Sequence, residues 1–144
     1  MQKNKINIIN LGCRLNIYEG EVIKSLVSEK KLQNYTIINS CAVTEEAEKK
    51  VKYEIRKSKK YFPNKKIIVT GCAAQINPNN YADIQEVDFI IGNHEKLQAD
   101  TWGSLSKNNF IQVKNIFNHN YIDKNIVERF EGKSRAYIEI QQGC

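Results

Sequence analysis

Lys66-Ile67-Ile68-Val69-Thr70-Gly71-Cys72 decides the fold: a short β-branched run ending in a glycine and a cysteine, just ahead of helix-like sequence. An almost continuous apolar run of this length predicts a strand buried on both faces, as in parallel sheets. Three further runs read the same way: Ile6-Asn7-Ile8-Ile9, Tyr35-Thr36-Ile37-Ile38 and Val87-Asp88-Phe89-Ile90-Ile91. Each leads through a small or polar residue into a helix-like segment. This alternation predicts an α/β fold, a parallel β-sheet flanked by helices in a three-layer, Rossmann-like or flavodoxin-like arrangement. Right-handed crossovers would set all the strands' carboxyl ends along one edge, with a ligand crevice near a switch point in the strand order.

The helices between the strands have their own signals. Tyr18, Val22 and Leu26, flanked by Ile23 and Val27, form a stripe at helical spacing. Asn16 with Glu19 three residues later resembles a capping box, which predicts a helix start at Ile17. In the second helix Ala47, Val51 and Ile55 share a face, Thr44 is the N-cap, and Glu45, Glu46 and Glu48 fill the first turn. Lysines crowd its far end, complementing the helix dipole, and Pro63-Asn64 stops it. Asn77-Pro78 opens a short third helix, and a fourth is expected from about His94 to Leu105. From Ser106 to Lys133 the pattern weakens into a linker with one strand near Phe110–Val113. Arg135-Ala136-Tyr137-Ile138-Glu139-Ile140 alternates like a new strand and leads to Gln141-Gln142-Gly143-Cys144.

At 144 residues the chain is long enough for one domain with its own core. The charge balance, 22 Lys+Arg against 16 Asp+Glu for a net +6, is compatible with an anionic partner such as RNA, though the abundance of Lys, Asn and Ile also reads as a compositional bias. The apolar run at Ile6–Leu11 is too short for a secretory core or a membrane span, so a cytoplasmic protein without membrane contact is expected. In that compartment four cysteines point to metal ligands, catalytic groups or buried thiols rather than disulfides.

Cys13, Cys41 and Cys72 each follow one of the first three strands, so the strand assignment itself brings them to one edge of the sheet. Each also precedes a helix, whose first amides favour a thiolate. Gly12 and Gly71 give the backbone room beside two of them, and Asn39-Ser40 is placed to donate hydrogen bonds to sulfur. Three unrelated core cysteines are one alternative. Zinc is another, with His94 or His119 as a fourth ligand, but the usual Cys-x-x-Cys pair is missing. Three thiolates without a fourth suit a 4Fe–4S cluster with one open iron.

These segments resemble the amino-terminal domain of the radical-SAM tRNA methylthiotransferases. The resemblance is carried by Leu11-Gly12-Cys13-Arg14-Leu15-Asn16-Ile17-Tyr18-Glu19, Asn39-Ser40-Cys41-Ala42-Val43-Thr44 and Val69-Thr70-Gly71-Cys72-Ala73-Ala74-Gln75, with Val87-Asp88 and Ile91-Gly92 beside them. The first motif is most similar to the branch that modifies N6-threonylcarbamoyladenosine next to the anticodon. The resemblance implies that Cys13, Cys41 and Cys72 hold an auxiliary 4Fe–4S cluster that takes part in sulfur insertion. Asn16 and Glu19 also match motif positions, which their capping role would explain.

Arg135 to Cys144 resembles the start of the radical-SAM barrel, with Cys144 as the first ligand of its cluster. The implied organisation is an iron–sulfur domain over 1–105, a linker over 106–133 and the truncated start of the radical-SAM domain over 134–144. The second 4Fe–4S cluster and S-adenosylmethionine would come only with the missing domain, so turnover by this chain alone is not expected. The intact enzyme would act on tRNA, and a second chain carrying the radical-SAM domain is one way to complete it. A standalone iron–sulfur or RNA-binding accessory module without turnover is the alternative. A cofactor-free nucleotide-binding module is disfavoured, because no Gly-x-Gly-x-x-Gly or phosphate loop follows the first strand.

Overall fold

The computed structural model describes residues 6–30, 32–105, 110–118, 127, 132 and 134–140. β1 (Asn7–Asn10), α1 (Arg14–Glu29), β2 (Tyr35–Ser40), α2 (Glu45–Tyr61) and β3 (Lys66–Gly71) follow in strict alternation. Two short helices, α3 (Cys72–Ile76) and α4 (Asn79–Ala82), lead to β4 (Phe89–Ile91). A 3₁₀ turn (Glu95–Leu97), α5 (Ala99–Gly103), β5 (Ile111–Gln112) and a second 3₁₀ turn (Ile116–Asn118) complete the described elements. The strands form one sheet in the order β1-β2-β3-β4-β5, with every neighbouring pair parallel. The expected three-layer α/β architecture is therefore present.

The register sorts the side chains into two layers, because successive residues of a strand point to opposite faces. Ile37, Ile68, Phe89 and Ile91 face Ile23 and Val27 of α1 and Trp102 of α5. Ile38, Ile67, Val69 and Ile90 face Val51 and Ile55 of α2, together with Ala73, Ala74 and Tyr81. Most of these side chains are fully buried, and each large aliphatic one contributes about 1.5–3 kcal/mol of transfer free energy. α2 follows its sequence signals closely. Thr44 accepts from the Ala47 amide at 3.1 Å, three glutamates occupy the first turn, and Lys59 and Lys60 occupy the last.

The strand order differs from the expectation in one respect. It never reverses, so the sheet has no switch point. Because α1 and α2 cover opposite faces while the chain steps across the sheet in one direction, their two crossovers have opposite hands. The uniformly right-handed reading therefore does not hold, although the carboxyl ends still share one edge.

Local differences follow from packing. The helix expected over His94–Leu105 is split at Gln98, whose backbone is extended (φ −100°, ψ 124°), into the 3₁₀ turn and α5. The strand expected near Phe110–Val113 exists as β5, and it joins the sheet through Phe110 O and Gln112 O, which accept from Ile90 and Gly92. The alternating tail at 135–140 is not a strand. Ile138 and Ile140 are exposed, while Tyr137 packs on Tyr18, Val22 and Leu97. Among the described residues no helix is long and apolar enough to cross a membrane.

Candidate functional site

The carboxyl edge of the sheet is where polar chemistry is concentrated. β1 runs into Leu11-Gly12-Cys13, β2 into Cys41, β3 into Cys72 and β4 into Gly92-Asn93. Ser40 pairs with Gly71 in the β2–β3 register, so Cys41 and Cys72 are the next residues on neighbouring strand ends, about 5 Å apart in strand spacing. Cys13 reaches the same edge through a tight turn. Gly12 has φ +101°, and a Cβ there would lie 2.7 Å from Cys41 Sγ, so the backbone before Cys13 is pressed against the Cys41 side chain. Gly71, at φ +96°, is equally constrained, because a Cβ would meet Ser40 O at 2.3 Å. Glycine is required at both positions by backbone conformation and by space.

Cys13 is exposed, Cys72 half-buried and Cys41 buried. Cys13 is the N-cap of the 16-residue α1. Each cysteine stands before or at the start of a helix, though not at the same distance from it. Cys72 begins a five-residue helix, and α2 starts beyond Cys41 at Glu45 with Thr44 as its cap. Among the described residues no three His, Cys, Asp or Glu side chains gather closely enough for one metal ion. His94 is half-buried at the head of the 3₁₀ turn, whereas His119 and Cys144 lie outside the described residues.

The capping-box reading of Asn16 and Glu19 does not hold. α1 begins three residues earlier than expected, at Arg14, so both residues lie inside the helix and are buried. Asn16 Nδ2 donates to Leu11 O at 2.6 Å and to Ser40 O at 3.0 Å, tying the turn before Cys13 to the end of β2. Glu19 accepts from the ammonium of Lys96, which is fully buried 77 residues along the chain. These contacts outweigh a cap because a buried amide or carboxylate without partners would be costly.

The Glu19–Lys96 pair anchors a wider network. Lys96 also donates to Asn93 Oδ1 at 2.9 Å and to Asn39 Oδ1 at 3.4 Å, and Trp102 Nε1 donates to Lys96 O at 2.9 Å. Asn93 Nδ2 reaches Cys72 Sγ at 3.8 Å. The hydrogen bond to sulfur was expected from Asn39-Ser40, yet their side chains are engaged elsewhere. Asn39 donates to Asn10 Oδ1 and Asn16 O, while Ser40 donates to Thr70 O. Asn93 and Lys96 carry no local motif, and only the distant acid Glu19 gives Lys96 its meaning. Beside α3, Gln75, Ile76, Val113, Lys114, Asn115, Ile116 and Phe117 line an open groove of about 450 Å³.

From its second turn to the opposite edge of the sheet, α2 and the turn that follows carry mostly exposed charge. Between Lys49 and Lys66 nine lysines and arginines accompany one acidic residue, Glu54, a local +8 in a chain of net +6. Tyr53, Tyr61 and Phe62 are exposed among them, with Lys57 over the Tyr53 ring at 5.7 Å and Lys65 over Phe62 at 5.2 Å.

The model of the uncharacterized protein family UPF0004 matches residues 5–92. The threonylcarbamoyladenosine tRNA methylthiotransferase MtaB of Rickettsia prowazekii is 47% identical over 141 residues, covering 95% of this chain and 32% of the relative. MtaB of Thermotoga maritima is 33% identical, covering 96% of this chain and 33% of the relative. The tRNA-2-methylthio-N(6)-dimethylallyladenosine synthase of Buchnera aphidicola is 30% identical, covering 100% and 36%. The chain thus spans about a third of the length of these relatives. No solved structure gives a significant match.

Proposed function

This chain belongs to the UPF0004 family, the amino-terminal domain of the methylthiotransferases, and from that premise we propose that Cys13, Cys41 and Cys72 hold an auxiliary 4Fe–4S cluster for tRNA methylthiolation. The observation that carries the reading is the placement of three cysteines at three successive parallel strand ends, beside two glycines of positive φ. An all-sulfur donor set suits iron–sulfur chemistry. Thiolates spread along an edge also suit a polynuclear group, since each binds a separate iron rather than sharing one ion's coordination shell. Gly12 and Gly71 leave the backbone bare where a bulky inorganic core would approach.

When bound, the cluster would supply an iron with an open position at which sulfur can be held for transfer. The chain's own residues have simpler tasks. Cys13, Cys41 and Cys72 ligate, Asn16 fixes the Cys13 turn against β2, and Gly12 and Gly71 keep the approach open. The substrate is proposed to be tRNA carrying N6-threonylcarbamoyladenosine, since MtaB relatives are named for that nucleoside. The basic, aromatic-studded end of α2 supports an RNA partner, because phosphates need cations and unstacked bases need ring faces. Such a partner supports a cytoplasmic location.

The domain scheme remains as read from the sequence: 1–105 as the iron–sulfur domain, 106–133 as a linker that also contributes β5, and 134–144 leading into a radical-SAM domain. Cys144 would be the first ligand of that domain's own 4Fe–4S cluster, which binds S-adenosylmethionine, whether the domain follows in the same chain or comes from a second one. Alone, this chain is expected to bind a cluster without turnover.

Anaerobic reconstitution with iron and sulfide tests the reading. About four irons per chain are expected, with the matching absorption and EPR spectra. Each of Cys13→Ala, Cys41→Ala and Cys72→Ala should lose them, and Cys144→Ala should not. A folded wild-type chain that takes up no iron would refute the assignment.

A further inference from the structure

Asn93 follows β4 at the carboxyl edge, and its carboxamide lies between a buried cation and a sulfur. Lys96 Nζ donates to its Oδ1 at 2.9 Å, and its Nδ2 stands 3.8 Å from Cys72 Sγ. The orientation of that amide is determined by its neighbours. An ammonium has three donors and no acceptor, so the oxygen of the amide must face Lys96. The N–H group is thereby turned toward the sulfur.

Lys96 is itself held from the far side. It is 0% exposed, paired with the Glu19 carboxylate and in contact with Asn39 Oδ1, and its backbone carbonyl accepts from Trp102 Nε1. Burying two ions is costly, and apolar residues of similar volume are often no less stable in such a place. An ion pair kept in this position therefore calls for a role other than packing, and what it does here is fix which end of Asn93 meets Cys72.

We propose that Asn93 is a positioning residue for Cys72: oriented by the Lys96–Glu19 pair, its Nδ2–H holds the sulfur and raises the reduction potential of the cluster that Cys72 ligates. This rests on the reading of Cys13, Cys41 and Cys72 as cluster ligands. A reduced cluster carries one more negative charge than the oxidised one, and part of that charge resides on the ligating sulfurs. A hydrogen bond donated to sulfur stabilises the more negative state. Asn93 moves no proton and is not a catalytic residue. Its effect is read in the potential.

The test reconstitutes the full chain and measures iron content and midpoint potential for wild type, Asn93→Leu and the double variant Glu19→Met/Lys96→Met. Asn93→Leu keeps the volume and removes the donor. The double variant keeps Asn93 and removes the pair that orients it, without leaving a lone buried charge. Wild-type iron with a potential shifted to more negative values is expected in both, the larger shift in Asn93→Leu. A potential equal to wild type in Asn93→Leu overturns the proposal. Should that variant fail to fold, an unmoved potential in the double variant overturns it instead. A wild-type chain that takes up no iron refutes the ligand assignment and this inference together, whereas iron with unmoved potentials refutes this inference alone.

Discussion

At the carboxyl edge of the sheet a network of buried polar side chains pairs across elements, while at the amino edge the polar side chains are exposed and mostly of one sign. Asn16, Glu19, Asn39, Ser40 and Lys96 lie within a few per cent of complete burial, and the side chain of each is hydrogen-bonded to another element. Tyr53, Tyr61 and Phe62, by contrast, stand in solvent among lysines, and an ion pair there, Lys57 with Glu54 at 3.6 Å, joins residues one turn apart. The first arrangement fixes geometry, since each buried group must keep its partners. The second fixes charge while leaving geometry loose, because exposed pairs contribute little. A site that holds an inorganic core needs the former, and a surface that grips a flexible polyanion needs only the latter.

The comparison is tested most severely by removing one half of the buried pair. Lys96→Met leaves the Glu19 carboxylate buried and unpaired, and should destabilise the fold by roughly 3–5 kcal/mol in urea denaturation. The double variant Glu19→Met/Lys96→Met should recover most of that loss. If the single variant is as stable as wild type, the carboxyl edge is less rigidly determined than its burial implies.

Gly71→Ala tests the same edge through the backbone. A Cβ would stand 2.3 Å from Ser40 O and 2.5 Å from Ser40 N, at φ +96°, so a loss on the order of 3 kcal/mol is expected, with iron uptake falling alongside. Stability and iron uptake that both survive would show that the β2–β3 ends can shift to admit a side chain.

Tyr81 contrasts with both edges. It is buried against α2, its hydroxyl meets no hydrogen-bond partner among the described residues, and its phenol is pushed up to about 12 by burial, with Glu48 adding to the shift. An unfolded tyrosine loses its proton near 10.0, whereas the folded one keeps it to about 12. Between those values the unfolded state binds fewer protons, so stability should fall as pH rises through this window. Tyr81→Phe should abolish that fall while changing stability at neutral pH by no more than about 1 kcal/mol. Identical alkaline profiles for the two proteins would remove Tyr81 as the cause.

The smallest effect on stability belongs to the amino edge. Lys57→Ala/Lys60→Ala should alter unfolding by no more than about 0.5 kcal/mol and leave iron uptake unchanged. Its effect should appear in binding to an RNA stem-loop, where the slope of log affinity against log salt becomes shallower by about 1.4–1.8. An unchanged slope would leave α2 a solvated helix and place the RNA surface elsewhere.

Much of the fold was legible because its signals are local. The four apolar runs, the stripe of α1, and the cap and charge gradient of α2 all lie within one or two turns of sequence. The capping box at Asn16 and Glu19 was misread for the same reason. Its spacing is correct, but the competing partners, Leu11 O, Ser40 O and Lys96, include groups 24 and 77 residues away. The split of the fourth helix at Gln98 was likewise invisible, since the backbone turns there to bury Leu97 and Trp102 in different clusters.

What the sequence by itself determined is the alternation of strands and helices and the position of Cys13, Cys41 and Cys72 just past three strands. A parallel sheet turns that into a shared edge whatever its strand order. What only the tertiary structure decided is the unreversed order β1 to β5, the opposite hands of the first two crossovers, and the Glu19–Lys96–Asn93–Cys72 chain. The physical reason is range. Propensity, capping and periodicity act between neighbours along the chain, whereas strand order and buried polar pairing depend on which distant groups meet when the core excludes water.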